Sequence, residues 1–400
     1  MSMTADDLTP VILGGARTPF GRFRGALAPL SASELGAHAI RAALERTGVP
    51  AERIDAVIVG QVIQAGAGQG PARQASLAAG IGWDVPTVTV NKLCLSGLTA
   101  VIDAARMIRA GEADFIVAAG QESMTNAPHL VKGLRAGITI GDTPMLDSLN
   151  HDGLQDPVSG ELMGSATDAG NAARGITREK QDAVAALSHQ RAEAARAAGV
   201  LSEEIAPVTI VQRRGDAVVV TDGEGIRPGT TAQSLAALKP AFAKGEQATI
   251  TAGSSSPLSD GAAALVVASK GAAHALGLAW IAEIGAHGQT AGPDGSLHSQ
   301  PSRAIEAALR REGLSGEALD LIEINEAFAS VVVQSAEDLG IDTDRINAEG
   351  GAIALGHPVG ASGARLVLHQ ALALKRRGGG VGVVALCGGG GQGDALILKA

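Results

Sequence analysis

An internal repeat is the feature that most limits the folds open to this chain. Residues 39–55 align without gaps onto residues 304–320, with nine of seventeen positions identical. When the alignment is shifted by one residue, the Ser-Gly pair at 96–97 and the segment after it match the Ser-Gly pair at 362–363 and the segment after that pair. Two matches in the same order at nearly the same offset favour an internal duplication over coincidence.

The repeated segments have an α/β pattern. Alanine-rich stretches with apolar residues at helical spacing alternate with short apolar runs at 56–60, 115–119, 321–324 and 381–385, which is typical of α/β domains. The alternation stops between about residue 121 and residue 249. That stretch is turn-rich at first and then continues as one long helix, 178–199, after Thr177 as its N-cap.

The pattern therefore predicts two similar core domains and an insertion. The N-terminal core domain consists of residues 1–124 and 250–275, the inserted loop domain of residues 125–249, and the C-terminal core domain of residues 276–400. Residues 249–268 are predicted to form a loop, a short helix and a strand that resume the first domain.

Composition excludes several classes of protein. A length of 400 residues predicts two or three domains, and a net charge of −9 argues against a nucleic-acid-binding surface. No apolar run approaches the length of a membrane span, and the N-terminus lacks the basic and apolar regions of a signal peptide. We therefore expect a cytoplasmic enzyme-sized protein with no membrane and no nucleic acid among its partners.

Cys94 is the first candidate catalytic residue. It lies between a predicted strand at 86–90 and a predicted helix at 96–109. A helix N-terminus stabilises negative charge, and together with a nearby histidine it can lower a thiol pKa from its ordinary value of about 8.5. From this stretch alone, a small buried hydrophobic residue remains an equal alternative.

Four polar or glycine-rich turns follow predicted strands, at the Cys94 turn and at 325–329, 350–363 and 386–393. Active sites of open α/β sheets gather beyond the carboxyl ends of strands, so these turns could converge. Taken singly, His357 could be a loop histidine, Asn325 a helix cap and the glycine run a tight turn. Cys94 and Cys387 are too few for a disulfide framework, although a single bridge between them stays open.

Taken together, these motifs resemble the thiolase family. They are Asn-Lys-Leu-Cys94-Leu-Ser-Gly, Asn325-Glu-Ala-Phe-Ala, Gly-His357-Pro-Val-Gly-Ala-Ser-Gly and Cys387-Gly-Gly-Gly-Gly-Gln-Gly, in the family's order and at its spacing. The resemblance covers nearly the whole chain, and four motifs at once outweigh the separate alternatives. It implies duplicated thiolase-like α/β domains, layered α-β-α-β-α, with an inserted loop domain.

The resemblance also implies a mechanism. Cys94 would attack an acyl-CoA, His357 would take its proton, and Cys387 would act as base on the α-carbon of a second acetyl-CoA. The products are acetoacetyl-CoA and CoA, and thiolysis is the reverse. Asn325 would hold a water that forms one oxyanion hole with His357, while the backbone N–H groups of Cys94 and Gly389 form the other. No metal or cofactor is expected, because CoA is itself substrate and product.

The same resemblance assigns binding residues and an assembly. The expected CoA contacts are Leu154, Arg227, Ser234, Phe242, Ala252 and Ser256, with Phe328 near the pantetheine. Arg227 would serve the nucleotide end, because a guanidinium pairs with phosphate or stacks on adenine. Similarity to short-chain thiolases, together with the loops between 121 and 156, predicts a homo-oligomer, namely a tetramer of two dimers.

This chain departs from the family pattern in three places. Leu162 stands before Met-Gly where the family often has histidine, and Pro257 and Ser259 replace the usual glycine and asparagine. The segment His298-Ser-Gln-Pro replaces a glycine-containing turn. These departures bear on acyl-chain preference and leave the four catalytic motifs intact.

Three alternatives remain beside a short-chain thiolase. A 3-ketoacyl-CoA thiolase of β-oxidation would accept a broader range of chain lengths. A decarboxylating enzyme of the ketoacyl-synthase type shares the duplicated fold, but usually carries two histidines and uses acyl-carrier protein. A non-catalytic acyl-CoA or sterol-binding protein would have no need of Cys94, His357 and Cys387. The direction of the reaction in the cell depends on metabolite levels, since the same residues catalyse both.

Overall fold

The computed structural model describes residues 4–212, 214–245 and 247–400. Its strands are β1 (Pro10–Arg17), β2 (Gly21–Arg22), β3 (Ala56–Gly60), β4 (Thr87–Val90), β5 (Phe115–Ser123), β6 (His129–Leu130), β7 (Leu146–Asp147), β8 (Val208–Ile210), β9 (Val218–Val220), β10 (Ser259–Ser269), β11 (Ala282–Ala291), β12 (Leu321–Ile324), β13 (Val381–Gly388) and β14 (Gln392–Lys399).

The helices alternate with these strands in each half of the chain. They are α1 (Ala32–Thr47), α2 (Pro71–Ala78), α3 (Ser96–Arg109), α4 (Met163–Asn171), α5 (Arg178–Ala197), α6 (Val200–Glu204), α7 (Ala232–Ala236), α8 (Lys270–Ala275), α9 (Gln300–Glu312), α10 (Ala329–Leu339), α11 (Ala352–Leu355) and α12 (Ser362–Arg377). Short 3₁₀ turns occur at Ala51–Arg53, Leu134–Ala136, Ala172–Arg174, Gly316–Ala318 and Thr343–Arg345, and a π-helical turn at Leu149–Leu154.

One large sheet runs through both halves, in the order β12-β13-β14-β11-β1-β10-β5-β3-β4, with β2 paired to β10. The halves meet where β1 pairs with β11. Outward from that junction, β1-β10-β5 and β11-β14-β13 are both antiparallel. The next strand in each half, β3 or β12, is parallel to its neighbour. The two halves therefore repeat one topology, as the internal duplication predicts.

The helices and strands stack in five layers, because the two faces of the strands contact different helices. On β5, Ile116 and Ala118 pack into a core with α3 and α12, whereas Val117 and Ala119 pack on the opposite face with α1 and α2. The C-terminal half does the same: inner residues of β13 join the α3/α12 core, and outer ones pack with α9 and α10. The order α-β-α-β-α confirms the predicted fold class.

Glycines bring the N-termini of the two central helices together. A Cβ atom at Gly97 of α3 would lie 2.8 Å from the carbonyl oxygen of Gly360 and 2.8 Å from the backbone nitrogen of Ala364. A Cβ atom at Gly363 of α12 would lie 2.1 Å from the backbone nitrogen of Leu98. Only residues without side chains permit this approach, and it places the turn before α3 beside the loop before α12.

Three predicted elements were wrong in extent or type. β10 begins at Ser259, and in the described part of 250–258 no helix forms. Cys387 pairs with Gly393 on β14, so it lies on a strand and not in the glycine turn. Glu122, predicted in a loop, pairs with Gly261 on β10. In each case pairing with another strand outweighs local turn propensity, and for Ser259 and Glu122 that strand is remote in sequence.

The inserted segment is richer in structure than a set of loops. Residues 125–249 contain α4 to α7 and two small antiparallel sheets, β6-β7 and β8-β9. The predicted domain boundaries themselves stay predictions. Over the described ranges, none of the helices combines the length and the apolar character that crossing a bilayer requires.

Candidate active site

A cavity of about 460 Å³ lies at the junction of the two central helix N-termini. Cys94, His357 and Cys387 all line it. Cys94 comes from the turn before α3, His357 from the loop between α11 and α12, and Cys387 from the end of β13. Residues from both halves of the duplication therefore share one site.

The turn that carries Cys94 has a constrained backbone. Leu93 has a φ of +53°, a left-handed conformation that side-chain-bearing residues rarely adopt. Its N–H donates to the side-chain oxygen of Asn91 over 3.1 Å, and the N–H of Lys92 donates to Ser96 Oγ over 2.8 Å. These bonds hold the conformation that presents Cys94 to the cavity.

Burial, and not the helix N-terminus, sets the direction in which the pKa of Cys94 is shifted. It raises the pKa of the thiol to about 11, and the neighbouring Glu122 carboxyl adds to the rise. The backbone N–H groups of Cys94 and Gly389 oppose this rise. The lowered pKa that the sequence suggested is thus not found in the free site. Cys94 is a thiol at neutral pH and needs a base.

His357 is suited to be that base. Burial, assisted by the positive charge of Arg365, lowers the pKa of His357 to about 3, so the imidazole is neutral. Its Nδ1 lies 2.6 Å from Ser362 Oγ, whose hydroxyl donates to the carbonyl of Pro358 over 3.0 Å. Nδ1–H therefore donates to Ser362, and Nε2 carries the lone pair that can accept a proton.

The backbone of His357 is held by Ser259, one of the departures from the family pattern. The N–H of His357 donates to Ser259 Oγ over 3.1 Å, and that hydroxyl donates to the carbonyl of Pro257 over 2.8 Å. Sequence reasoning flagged Ser259 without a role, because nothing local links it to a histidine 98 residues away.

Cys387 lies deeper than Cys94 and is more strongly perturbed. Burial raises its pKa well above the ordinary range, and the adjacent Cys94 raises it further. Both cysteines are free thiols, so no disulfide joins them. The glycines after Cys387 allow close contact with the nucleophile turn, because a Cβ atom at Gly389 would lie 2.6 Å from Leu93 Cδ1.

Asn325 lies at the end of β12 and contacts the histidine. Its Nδ2 is 3.4 Å from His357 Nε2, and its side chain is fully buried. Within the described residues, Asn325 Oδ1 has no hydrogen-bond partner. A buried amide oxygen without a protein partner is chemically suited to hold a water molecule.

Most of the predicted CoA contacts lie around the same cavity. Its walls include Leu154, Arg227, Phe242, Ala252, Ser256 and Phe328. The rings of Phe242 and Phe328 pack edge to face with centroids 5.8 Å apart. Ser234 is not brought to the walls formed by the described residues; it is exposed and forms a capping box with Thr231 at the start of α7.

Two further contacts were missed by sequence reasoning. His189 Nδ1 accepts the backbone N–H of Arg227 over 3.2 Å, and burial lowers the pKa of His189 to about 4, which keeps it neutral. Lys92 Nζ lies 2.7 and 2.8 Å from the carboxylate oxygens of the buried Asp394, which ties the Cys94 turn to β14. Both pairs are remote in sequence and carry no local signal.

The remaining departures from the family pattern include two residues that line the cavity and one residue behind it. Leu162 and Pro257 line the cavity. His298 is buried behind it, with Nε2 2.9 Å from Asn171 Oδ1 and Nδ1 3.0 Å from Ser296 Oγ. Burial lowers the pKa of His298 to about 4, so it acts as a neutral packing group.

Comparison with known proteins gives one consistent result. The family models "Thiolase, N-terminal domain" and "Thiolase, C-terminal domain" match residues 10–271 and 278–400. A "Probable acetyl-CoA acetyltransferase" of Mycobacterium tuberculosis is 57% identical over 98% of this chain and 99% of its own. The "Acetyl-CoA acetyltransferase" of Cupriavidus necator is 46% identical over 97% and 98%. A crystal structure of the Bacillus anthracis acetyl-CoA acetyltransferase superposes with a TM-score of 0.94 at 37% identity, covering 98% of both chains.

Proposed function

The chain belongs to the thiolase family, and from this premise we propose that it is an acetyl-CoA C-acetyltransferase. It condenses two acetyl-CoA molecules to acetoacetyl-CoA and CoA, or cleaves acetoacetyl-CoA in reverse, through an acyl-enzyme on Cys94. The observation that carries the proposal is the meeting of Cys94, His357 and Cys387 in one cavity. Relatives named acetyl-CoA acetyltransferase at 46–57% identity support the substrate.

In the first step, His357 Nε2 takes the proton of Cys94 as the sulfur attacks the thioester carbonyl of acetyl-CoA. The neutral, oriented imidazole and the protonated thiol of the free site suit this transfer. The tetrahedral oxyanion is stabilised by the N–H groups of Cys94 and Gly389; removing one such donor typically costs about 10²–10³ in rate. CoA leaves as its sulfur regains the proton from His357.

In the second step, His357 Nε2, which gave its proton to CoA, takes the proton of the Cys387 thiol, and the Cys387 thiolate then removes a proton from the methyl carbon of a second acetyl-CoA. The resulting carbanion attacks the acetyl group on Cys94, the C–S bond to Cys94 breaks as acetoacetyl-CoA forms, and the released Cys94 thiolate takes the proton from His357. Because the pKa of its thiol is high, the Cys387 thiolate is a strong base in condensation. In thiolysis, the Cys387 thiol protonates the carbanion of the departing acetyl-CoA. While its Nε2 holds the proton taken from Cys387, His357 and a water on Asn325 are assigned to the oxyanion of the reacting thioester. CoA is substrate and product, and the proposed reaction uses no other cofactor.

The test of the proposal is thiolysis of β-ketoacyl-CoA substrates of increasing chain length. We expect acetoacetyl-CoA to be cleaved well and long straight-chain substrates poorly, because one cavity of about 460 Å³ would have to hold both the pantetheine arm and the acyl group. The cavity is walled by apolar side chains that include Leu162, Met163 and Leu297. The measured quantity is kcat/KM for each substrate, with the Cys94→Ala protein as the blank.

The outcome also decides between the alternatives. Comparable kcat/KM for C4 and C16 substrates would replace the short-chain assignment with a broad-range 3-ketoacyl-CoA thiolase. No activity on any CoA thioester, together with activity on substrates bound to acyl-carrier protein, would favour a ketoacyl-synthase type. Cys387 as the base and the Asn325-Glu-Ala-Phe motif argue against the latter.

We further propose that the protein is a homotetramer located in the cytoplasm. The segment 127–156 exposes several large apolar side chains, namely Leu134, Ile138, Ile140 and Met145. Exposed apolar groups gathered in one segment are typical of an interaction surface. Light scattering should give the mass of four chains; a mass of two chains would contradict the tetramer. Cell fractionation tests the location.

A further inference from the structure

The buried carboxyl group of Glu122 bonds to two loops that come from different halves of the fold. Glu122 lies near the end of β5 and is fully buried. Its Oε2 accepts the N–H of Val62 over 2.9 Å and that of Gly360 over 3.0 Å, and its Oε1 accepts the N–H of Ile63 over 3.2 Å. The proposed chemistry uses none of these groups directly.

Each of the two loops carries a part of the catalytic site. Val62 and Ile63 follow β3, and they pack with Cys94 and Val359 in one apolar cluster. Gly360 lies three residues after His357 and two before Ser362, within the loop that holds the base. One carboxyl group thus fixes the wall of the nucleophile and the loop of the histidine at the same time.

The backbone at Gly360 packs so closely against β5 that the loop after His357 has no space to move toward that strand. A Cβ atom at Gly360 would lie 2.8 Å from Glu122 Oε2 and 2.7 Å from the carbonyl oxygen of Gln121. A Cβ atom at Gly120 would lie 2.2 Å from the carbonyl oxygen of Gly360. The backbone of the histidine loop therefore lies directly against β5, and Glu122 supplies the polar partner there.

We infer that Glu122 is a positioning residue for the transfer of the proton from Cys94 to His357. The nucleophile belongs to the N-terminal half and the base to the C-terminal half, so their separation depends on contacts that cross between the halves. Glu122 satisfies buried N–H groups on both sides of that boundary, and burying them unpaired would be costly. The inference rests on the proposed function, and it assigns Glu122 no contact with substrate.

Two variants of Glu122 separate positioning from packing. Glu122→Met is similar in size but offers no oxygen acceptor, so Val62, Ile63 and Gly360 lose their partner. Glu122→Gln keeps one oxygen, which can accept the two bonds now made by Oε2. We expect Glu122→Met to lower kcat for acetoacetyl-CoA thiolysis by about 100-fold with KM within about threefold, because small misplacements of reacting groups cost that much. Glu122→Gln should recover most of the rate.

A second readout does not require turnover. Iodoacetamide alkylation of Cys94, followed by peptide mass spectrometry, reports whether a base assists that thiol. The titratable groups facing Cys94 are Glu122 on β5, Cys387 on β13 and His357 before α12; Asp260 on β10 also acts on Glu122. The Glu122 carboxyl raises the pKa of Cys94, so its removal alone would favour the thiolate and speed alkylation. At neutral pH we nevertheless expect about tenfold slower alkylation in Glu122→Met than in the parent, because a displaced His357 no longer takes the proton.

A matched control is Glu204→Gln. Glu204 is another fully buried glutamate, 2.7 Å from Arg17 Nε and 3.0 Å from His369 Nδ1, and among the described residues its hydrogen bonds go to neither catalytic loop. It should lower thermal stability and leave kcat of the folded protein unchanged. Should Glu122→Met fail to fold, the shorter Glu122→Asp, which cannot span both loops, is measured by the same two assays.

The inference is overturned if folded Glu122→Met, or Glu122→Asp in its place, keeps the parent kcat and alkylation rate. It is also overturned if the loss lies in KM alone. If the parent cleaves no β-ketoacyl-CoA, the proposed function fails, and the alkylation rates alone decide the role of Glu122.

Discussion

The Cys94→Ala variant is expected to carry no acetyl group after incubation with labelled acetyl-CoA and denaturation. Acyl transfer needs a nucleophile that forms a covalent bond, and Cys94 is the thiol beside the neutral His357 and the N–H of Gly389. Thiolysis and condensation should both fall by at least about 10⁴-fold, the scale found when a nucleophile is removed. The measurement is radiolabel retained on the denatured chain.

The unmutated enzyme provides the control for this result. Its label should reside on the peptide that contains Cys94. Label found on the peptide that contains Cys387 would reverse the assignment of the two thiols. The alanine removes only a sulfur at a buried position, and a circular dichroism spectrum like the parent's would show that the loss is chemical.

The Cys387→Ala variant should separate the two half-reactions. It is expected still to accept an acetyl group on Cys94, because His357 and Ser362 do not depend on Cys387. It should fail to exchange the methyl hydrogens of acetyl-CoA with solvent deuterium, because the base for the α-carbon is gone. Condensation should fall by about 10²–10⁴-fold, the usual contribution of a general base.

Mass spectrometry of recovered acetyl-CoA measures the exchange, and label on the protein measures acylation. Exchange at the parent rate in Cys387→Ala would contradict the assignment of Cys387 as carbon base. Loss of acylation together with exchange would instead show that Cys387 supports the Cys94 turn, for instance through the glycines that contact Leu93.

Local signals in the sequence were sufficient for the α/β pattern and its helices, whereas the site residues were assigned through the resemblance to the thiolase family. The helix predicted at 96–109 is found as Ser96–Arg109, and the long helix after Thr177 begins where its cap predicts. These elements follow from side-chain spacing and capping, which act within a few residues. The repeat at 39–55 and 304–320 gave the duplication, since equal patterns fold into equal units.

Only the tertiary structure decided the pKa shifts of the catalytic groups and the contacts that hold these groups in place. The pKa of Cys94 is raised, contrary to what its helix N-terminus suggested, because desolvation sums over surrounding residues from both halves. Cys387 became part of a strand because β14 pairs with it. Ser259, which holds the backbone of His357, and Glu122, which joins its loop to β3, act across 98 and 238 residues of chain. Contacts at such separations depend on how the halves pack, and no local pattern in the sequence encodes them.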